Sequence, residues 1–248
     1  MAWSKRLSGV AGLAICATAL SGLAGRLHAQ APTVPAAPPA APPARVARFV
    51  VVIDAAHGGD DSGGHLNDGQ FEKEATLALS VRLRSLLNAR GIRVVTTRES
   101  DQSVSMEQRA TIANRANAQA CISLHVAETG SGVHLFASNL APAYTTRFMP
   151  WKTAQAGWVT RSLALTGVLN SALLAGSSTV TLGRTALPAL DSMTCPAVAV
   201  ELAPDRDADK KLIAETDNPD YQARVAGVLA NALLEWRAQQ GSMGARQP

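Results

Sequence analysis

Three short apolar runs, each stopping at a residue that can hold a proton or a metal, constrain this 248-residue chain more than any other feature. Val50-Val51-Val52-Ile53 stops at Asp54 and turns through Ala55-Ala56 into His57 and the pair Gly58-Gly59. Ala120 to Leu124 runs into His125, and Pro196 to Val200 runs into Glu201. A continuous apolar run of this length reads as a strand buried on both faces, and paired glycines let the backbone turn tightly beside a ligand. In open α/β sheets, chemistry collects beyond the carboxyl ends of the strands.

Helical periods separate these runs. Leu79, Leu83, Leu86 and Leu87 form one stripe of a helix over Lys73 to Arg90, which Gly91 ends. Ile92 to Thr97 is a β-branched strand. Ser105 and Gln108 have capping-box spacing ahead of a helical stripe through Ile112, Ala113 and Ala116. Gly132 to Ala137 reads as a strand, Arg161 to Leu174 as a helix and Ser178 to Leu182 as a short extended segment. Asn218-Pro219 opens a last helix carrying Val225, Val228, Leu229, Ala232, Leu233 and Trp236. The alternation predicts an α/β fold: a single domain with a mainly parallel twisted sheet and helices on both faces. Tyr144, Phe148, Trp151 and Trp158 fall in an irregular stretch, read as a flap over the sheet or the lining of a groove.

The N-terminus is of another kind. Lys5 and Arg6, the apolar stretch Leu7 to Ala24 and the Leu27-His28-Ala29 cleavage pattern mark residues 1–29 as a secretory signal peptide, so no membrane span is expected in the mature chain. Residues 30–46 are a linker of prolines among alanines, too poor in core-forming side chains to pack. The catalytic domain is expected over 47–239, with a disordered tail over 240–248. Loss of Lys5, Arg6 and Arg26 brings the formal charge of +4 close to neutral, and the ten aromatic residues are not interleaved with basic clusters. Nucleic acid is therefore excluded as a partner. Cys121 and Cys195 both open apolar strand-like runs and read equally as two buried thiols or one disulfide.

If the strands neighbour one another, His57, His125 and Glu201 converge with Glu72, which sits at the entrance of the first long helix. Hydrolytic zinc sites commonly take two His and one Glu and leave a fourth position for water. Glu74 competes with Glu72 at the helix entrance, and the residues alone do not choose between them. Asp54 reads either as an orienting partner of a ligand histidine or as a turn-stabilising acid. His65, in a Gly-rich loop, and His134, inside a strand, are read as lying off the metal. Neither G-x-G-x-x-G nor G-x-x-x-x-G-K-[ST] is present, which disfavours a nucleotide-binding domain.

The segments DAAHGGDDSGG, FEKEATLALSVRLRSLL, GIRVVTTRESD, EQRATIANRANAQACISLHVA and CPAVAVELAPD resemble, in this order, the zinc-dependent N-acetylmuramoyl-L-alanine amidases of bacterial cell walls. The resemblance covers nearly all of residues 47–237. It implies Zn2+ held by His57, Glu72 and His125, with Glu201 as the catalytic acid/base. The implied reaction is hydrolysis of the amide between the lactyl group of N-acetylmuramic acid and the L-alanine of the stem peptide. Peptidoglycan is then the partner, a monomer in the periplasm is expected, and an activator protein is left open. A wall-binding module of the same fold without catalysis is the alternative. This chain departs from the family pattern at Ala55-Ala56 before His57, at Val126-Ala127-Glu128 and at Ala203-Pro204. The stretch between His125 and Glu201 is also shorter than the inhibitory helix insertion of some division amidases requires.

Overall fold

The computed structural model describes residues 49–66, 69–143 and 149–244; the expected signal peptide and linker lie outside the described residues. The elements in chain order are β1 (Val50–Ala55), α1 (Glu72–Ala89), β2 (Arg93–Thr96), α2 (Met106–Ala116), β3 (Ala120–Val126) and β4 (Val133–Ser138). There follow a short 3-10 helix (Trp151–Gly157), α3 (Val159–Ala175), β5 (Val180–Thr185), α4 (Pro188–Asp191), β6 (Ala197–Leu202), β7 (Asp205–Arg206), β8 (Leu212–Ala214) and α5 (Pro219–Gly244). The helix α5 thus continues through Gly244, so the tail expected from Gln240 begins as helix.

Six strands form one sheet in the order β2-β1-β3-β6-β4-β5, with β7 and β8 as a separate two-stranded ribbon. The four strands β2, β1, β3 and β6 are parallel, so β1, β3 and β6 end at one edge. β4 runs antiparallel to β6, and β5 is parallel to β4. The reversal has a simple cause. Only residues 127–132 connect β3 to β4, and a parallel return needs a crossover of a dozen residues or more. The chain therefore turns back at the edge where β3 has just ended, and β4 starts there.

The sheet is covered on both sides. One apolar cluster gathers Val51, Ile53, Ile122, Leu124, Val198 and Val200 with Leu79, Leu83 and Leu87 of α1, Leu165 and Leu169 of α3, and Val225, Leu229, Leu233 and Trp236 of α5. Alternate strand residues Val50, Val52, Cys121, Ala197 and Ala199 face the other way, onto Ala110 and Ala113 of α2 and Leu190 of α4. Each fully buried Leu, Ile or Val contributes about 1.5–3 kcal/mol through removal from water. Small residues on the second face let α2 and α4 approach closely.

Local details anchor the edge where the strands end. Ser105 caps α2 by accepting the Gln108 amide, and Asn218 caps α5 by accepting the Asp220 and Tyr221 amides. The buried Tyr221 hydroxyl donates to the carbonyl of Ala203 at 2.9 Å, pinning the chain just past Glu201. Burial also pushes its phenol pKa up. Cys121 and Cys195 form a disulfide that staples the start of β3 to the approach of β6. Tyr144 and Phe148 lie outside the described residues. Trp151, 51% exposed, and Trp158 wall a groove against Ala110 and Thr111 of α2.

Candidate metal centre

His57 stands immediately beyond β1 with a φ of 61°, a left-handed conformation uncommon for a side chain of this size. Such a backbone persists only where its surroundings over-determine it, at a cost of about 1–3 kcal/mol. Two buried arginines do so here. Arg109 donates to the Asp54 carboxylate at 2.6 Å, to the Ala55 carbonyl at 2.7 Å and to the His57 carbonyl at 2.7 Å. Arg98 donates to the carbonyls of Ala55, Ala56 and Lys73. Lys73 closes the loop from outside, bonding the Gly59 carbonyl at 2.9 Å and Asp101 at 2.7 Å. Gly63 lies so close that a Cβ there would stand 2.6 Å from His57 Cδ2 and 2.8 Å from Glu72 Oε2, so a side chain has no room.

Glu72 is the first residue of α1 and is buried between two imidazoles. Its Oε2 lies 3.1 Å from His57 Nε2 and accepts the Gly64 amide, while its Oε1 lies 3.1 Å from His125 Nδ1 and accepts the Val126 amide. Ligand-competent atoms of His57, Glu72 and His125 all fall within 4.8 Å of one another. Burial raises the pKa of Glu72, but hydrogen bonds from His125, His57 and the Gly64 amide outweigh it and hold the carboxyl far below its usual range. The bond to Glu72 raises the pKa of His57 more than burial lowers it, and Asp61 adds to the rise. Glu74 plays another part: its carboxylate accepts the Phe71 amide as a helix cap.

The outer partners of the two rings decide what their inner nitrogens offer. His57 Nδ1 is 2.8 Å from Asp61 Oδ1, and a carboxylate only accepts, so that nitrogen carries the proton. Ser123 spends its own proton on Asp54 at 2.8 Å, so His125 Nε2, 3.4 Å from the same hydroxyl, is the donor there. In their neutral forms both rings then turn a lone pair toward the Glu72 carboxylate. With both rings neutral, two imidazole lone pairs and a carboxylate make a donor set that fits zinc. Asp54 braces the turn through Arg109 and, through Ser123, is linked to the His125 ring.

Glu201 lies outside that cluster but in register with it, paired across the sheet with His125 on β3 and with His134 on β4. His134 Nδ1 donates to Glu201 Oε1 at 2.8 Å. His134 is off the metal-competent cluster as expected, yet its contact with Glu201 has no counterpart in the sequence reading. The signal was the short connection before β4, which brings the first polar residue of that strand to the edge where β3 and β6 end. His65 packs against Phe71, ring centroids 4.8 Å apart, away from the cluster.

This geometry joins a two-His, one-Glu donor set to a neighbouring carboxylate on an α/β sheet, and a family model matches the same stretch. Residues 51–235 match the model described as Amidase_3, N-acetylmuramoyl-L-alanine amidase. The chain belongs to this family. The amidase CwlM of Bacillus licheniformis is 35% identical over 102 residues, covering 39% of this chain and 40% of that one. AmiA of Escherichia coli is 37% identical over 76 residues, 31% of this chain and 26% of that one. The matched stretches therefore span less than half of these relatives' lengths. Among solved structures, the amidase Ami1 of Mycobacterium smegmatis shares the fold with a TM-score of 0.61 at 20% identity, covering 77% of this chain and 97% of that one.

Proposed function

We propose that the chain is a zinc hydrolase that cuts the amide between N-acetylmuramic acid and L-alanine of peptidoglycan stem peptides. The observation that carries the reading is the convergence of His57, Glu72 and His125, with Glu201 in register beside His125. His57, Glu72 and His125 would hold the zinc, and their outer hydrogen bonds keep each ring turned to it. When bound, zinc polarises the scissile carbonyl and makes water acidic enough to attack at neutral pH.

Glu201 takes the proton of the attacking water and hands it to the leaving nitrogen, a role that typically supplies about 10²–10⁴ in rate. His134 commits one carboxylate oxygen of Glu201 and so leaves Oε2 to face the reacting water. A side chain about one-third exposed suits this task, because water and substrate reach it.

Export to the periplasm belongs to the same reading, supported by the signal-like leader and by the Cys121–Cys195 disulfide, which persists in oxidising compartments. Among the described residues no helix is long and apolar enough to cross a membrane. The CwlD amidase of Clostridioides difficile has been solved with the GerS lipoprotein, so an accessory protein is a natural candidate to test alongside the chain. Glu201→Gln is the direct test of the chemistry. It keeps zinc at the wild-type level and loses at least about a hundredfold in turnover; activity within a few fold of wild type would remove Glu201 from the mechanism.

A further inference from the structure

We infer that a cationic pocket beside Glu201 binds a free carboxylate on the second or third residue of the stem peptide; the inference rests on the amidase reading above. Past His134 the sheet edge opens into a pocket of about 580 Å³ walled by Gly130, His134, Thr179, Thr181, Arg206 and Lys210. Thr181 is the register partner of His134 on β5, so the pocket extends the row His125, Glu201, His134 by one more strand.

Arg206 belongs to the β7–β8 ribbon that directly follows Glu201. Its Nε donates to the Gly130 carbonyl at 3.3 Å and its Nη1 to the Lys210 carbonyl at 3.2 Å, which fixes the guanidinium at the rim. Neither Arg206 nor Lys210 has a carboxylate within ion-pair distance among the described residues. Three acids of this region are engaged elsewhere: Asp205 by Arg224, Asp207 by the amides of Asp209 and Lys211, and Glu201 by His134. Arg206 and Lys210, neither of them paired with a carboxylate, line one pocket with Thr179 and Thr181, a combination that suits an anion.

The spacing selects which anion. Adjacent strands lie about 4.8 Å apart, so His134 stands roughly 10 Å across the sheet from His125. An extended α-linked peptide advances at most about 3.3–3.6 Å per residue and a γ-linked residue reaches further, so a span of roughly 10 Å is covered by two to three residues beyond the cut. The direction also agrees. Glu201 hands its proton to the leaving nitrogen, so the leaving peptide lies on the Glu201 side of the cluster, toward Arg206. In peptidoglycan a γ-linked glutamate and a diamino acid at these places carry free carboxylates.

The experiment compares muramoyl-tripeptides that carry either free carboxylates or carboxamides at the second and third residues. Wild type is expected to prefer the free acid. Arg206→Ala with Lys210→Ala should raise KM for the free acid about tenfold, with kcat within twofold, and leave the amidated substrate unchanged. An equal loss on both substrates, or no loss on either, would overturn the pocket. Calorimetric titration of the unmuramylated tripeptide, which has no muramoyl amide to cut, free acid against amide, into the chain as purified separates the two readings. A preference for the acid that disappears in the double variant supports the pocket even if no cleavage is seen, which would count against the amidase reading alone. No preference overturns the pocket whatever the cleavage result.

Discussion

Replacing His134 by alanine tests how Glu201 is held. The Nδ1 donor meets Glu201 Oε1 at 2.8 Å, and a hydrogen bond to a charged acceptor contributes about 1.5–3 kcal/mol. The Glu201 side chain is 31% exposed, so water replaces part of the bond and the lower end applies. About 1.4 kcal/mol is a factor of ten in rate. His134→Ala should therefore lower kcat for muropeptide release about tenfold and leave KM within twofold. His134→Asn, whose amide nitrogen occupies nearly the same position as Nδ1, should recover most of the loss. In a Glu201→Gln background the alanine substitution should cost nothing more, because its effect passes through the carboxylate. A tenfold loss that persists in the Glu201→Gln background, or no loss in either, would refute this account of His134.

Two predictions concern what supports the site. Asp54 is 3% exposed and accepts from Thr97, Arg109 and Ser123, so Asp54→Ala leaves the Arg109 guanidinium buried without its carboxylate. Breaking a buried pair in this way costs about 3–5 kcal/mol, and at about 2–4 °C per kcal/mol for a domain of this size the melting temperature should fall by about 6–20 °C. A fall under 3 °C, measured with chelator present so that metal loss does not contribute, would contradict the network. The Cys121–Cys195 bridge closes a loop with a sequence separation of 74, which in the chain-entropy account is worth about 4.5 kcal/mol. Reduction with dithiothreitol and the double serine variant should lower the melting temperature alike, and an unchanged melt on reduction would exclude the bridge from stability.

Strand ends and helix faces were legible because they rest on local patterns. The apolar run into His57, the Leu79–Leu83–Leu87 stripe, the Ser105 cap and the Asn218-Pro219 start all state their structure within a few residues. The choice of Glu72 over Glu74 needed the family resemblance; in the structure the two carboxylates diverge because one faces His57 and His125 and the other folds back to cap the helix. The pairing of Cys121 with Cys195 was undecidable without knowing that β3 and β6 are neighbours. The two buried arginines were illegible for the same reason, and His134 was legible only through the short connection before β4. Arg98 and Arg109 reach across the fold to carbonyls of the His57 turn, and His134 meets Glu201 only because β4 returns antiparallel to β6. Register and long-range hydrogen bonding are properties of the assembled sheet, not of any one segment.

The zinc site proposed at His57, Glu72 and His125 and the muramoyl amide proposed as its target can be tested together. The most direct measurement joins metal content to product identity, for wild type and His57→Ala purified without chelator and incubated with peptidoglycan. The account predicts about one zinc per wild-type chain and released stem peptides that begin with a free L-alanine amine, with both lost in His57→Ala. Wild-type chain that binds no zinc, or that releases peptides with any other new terminus, would contradict it.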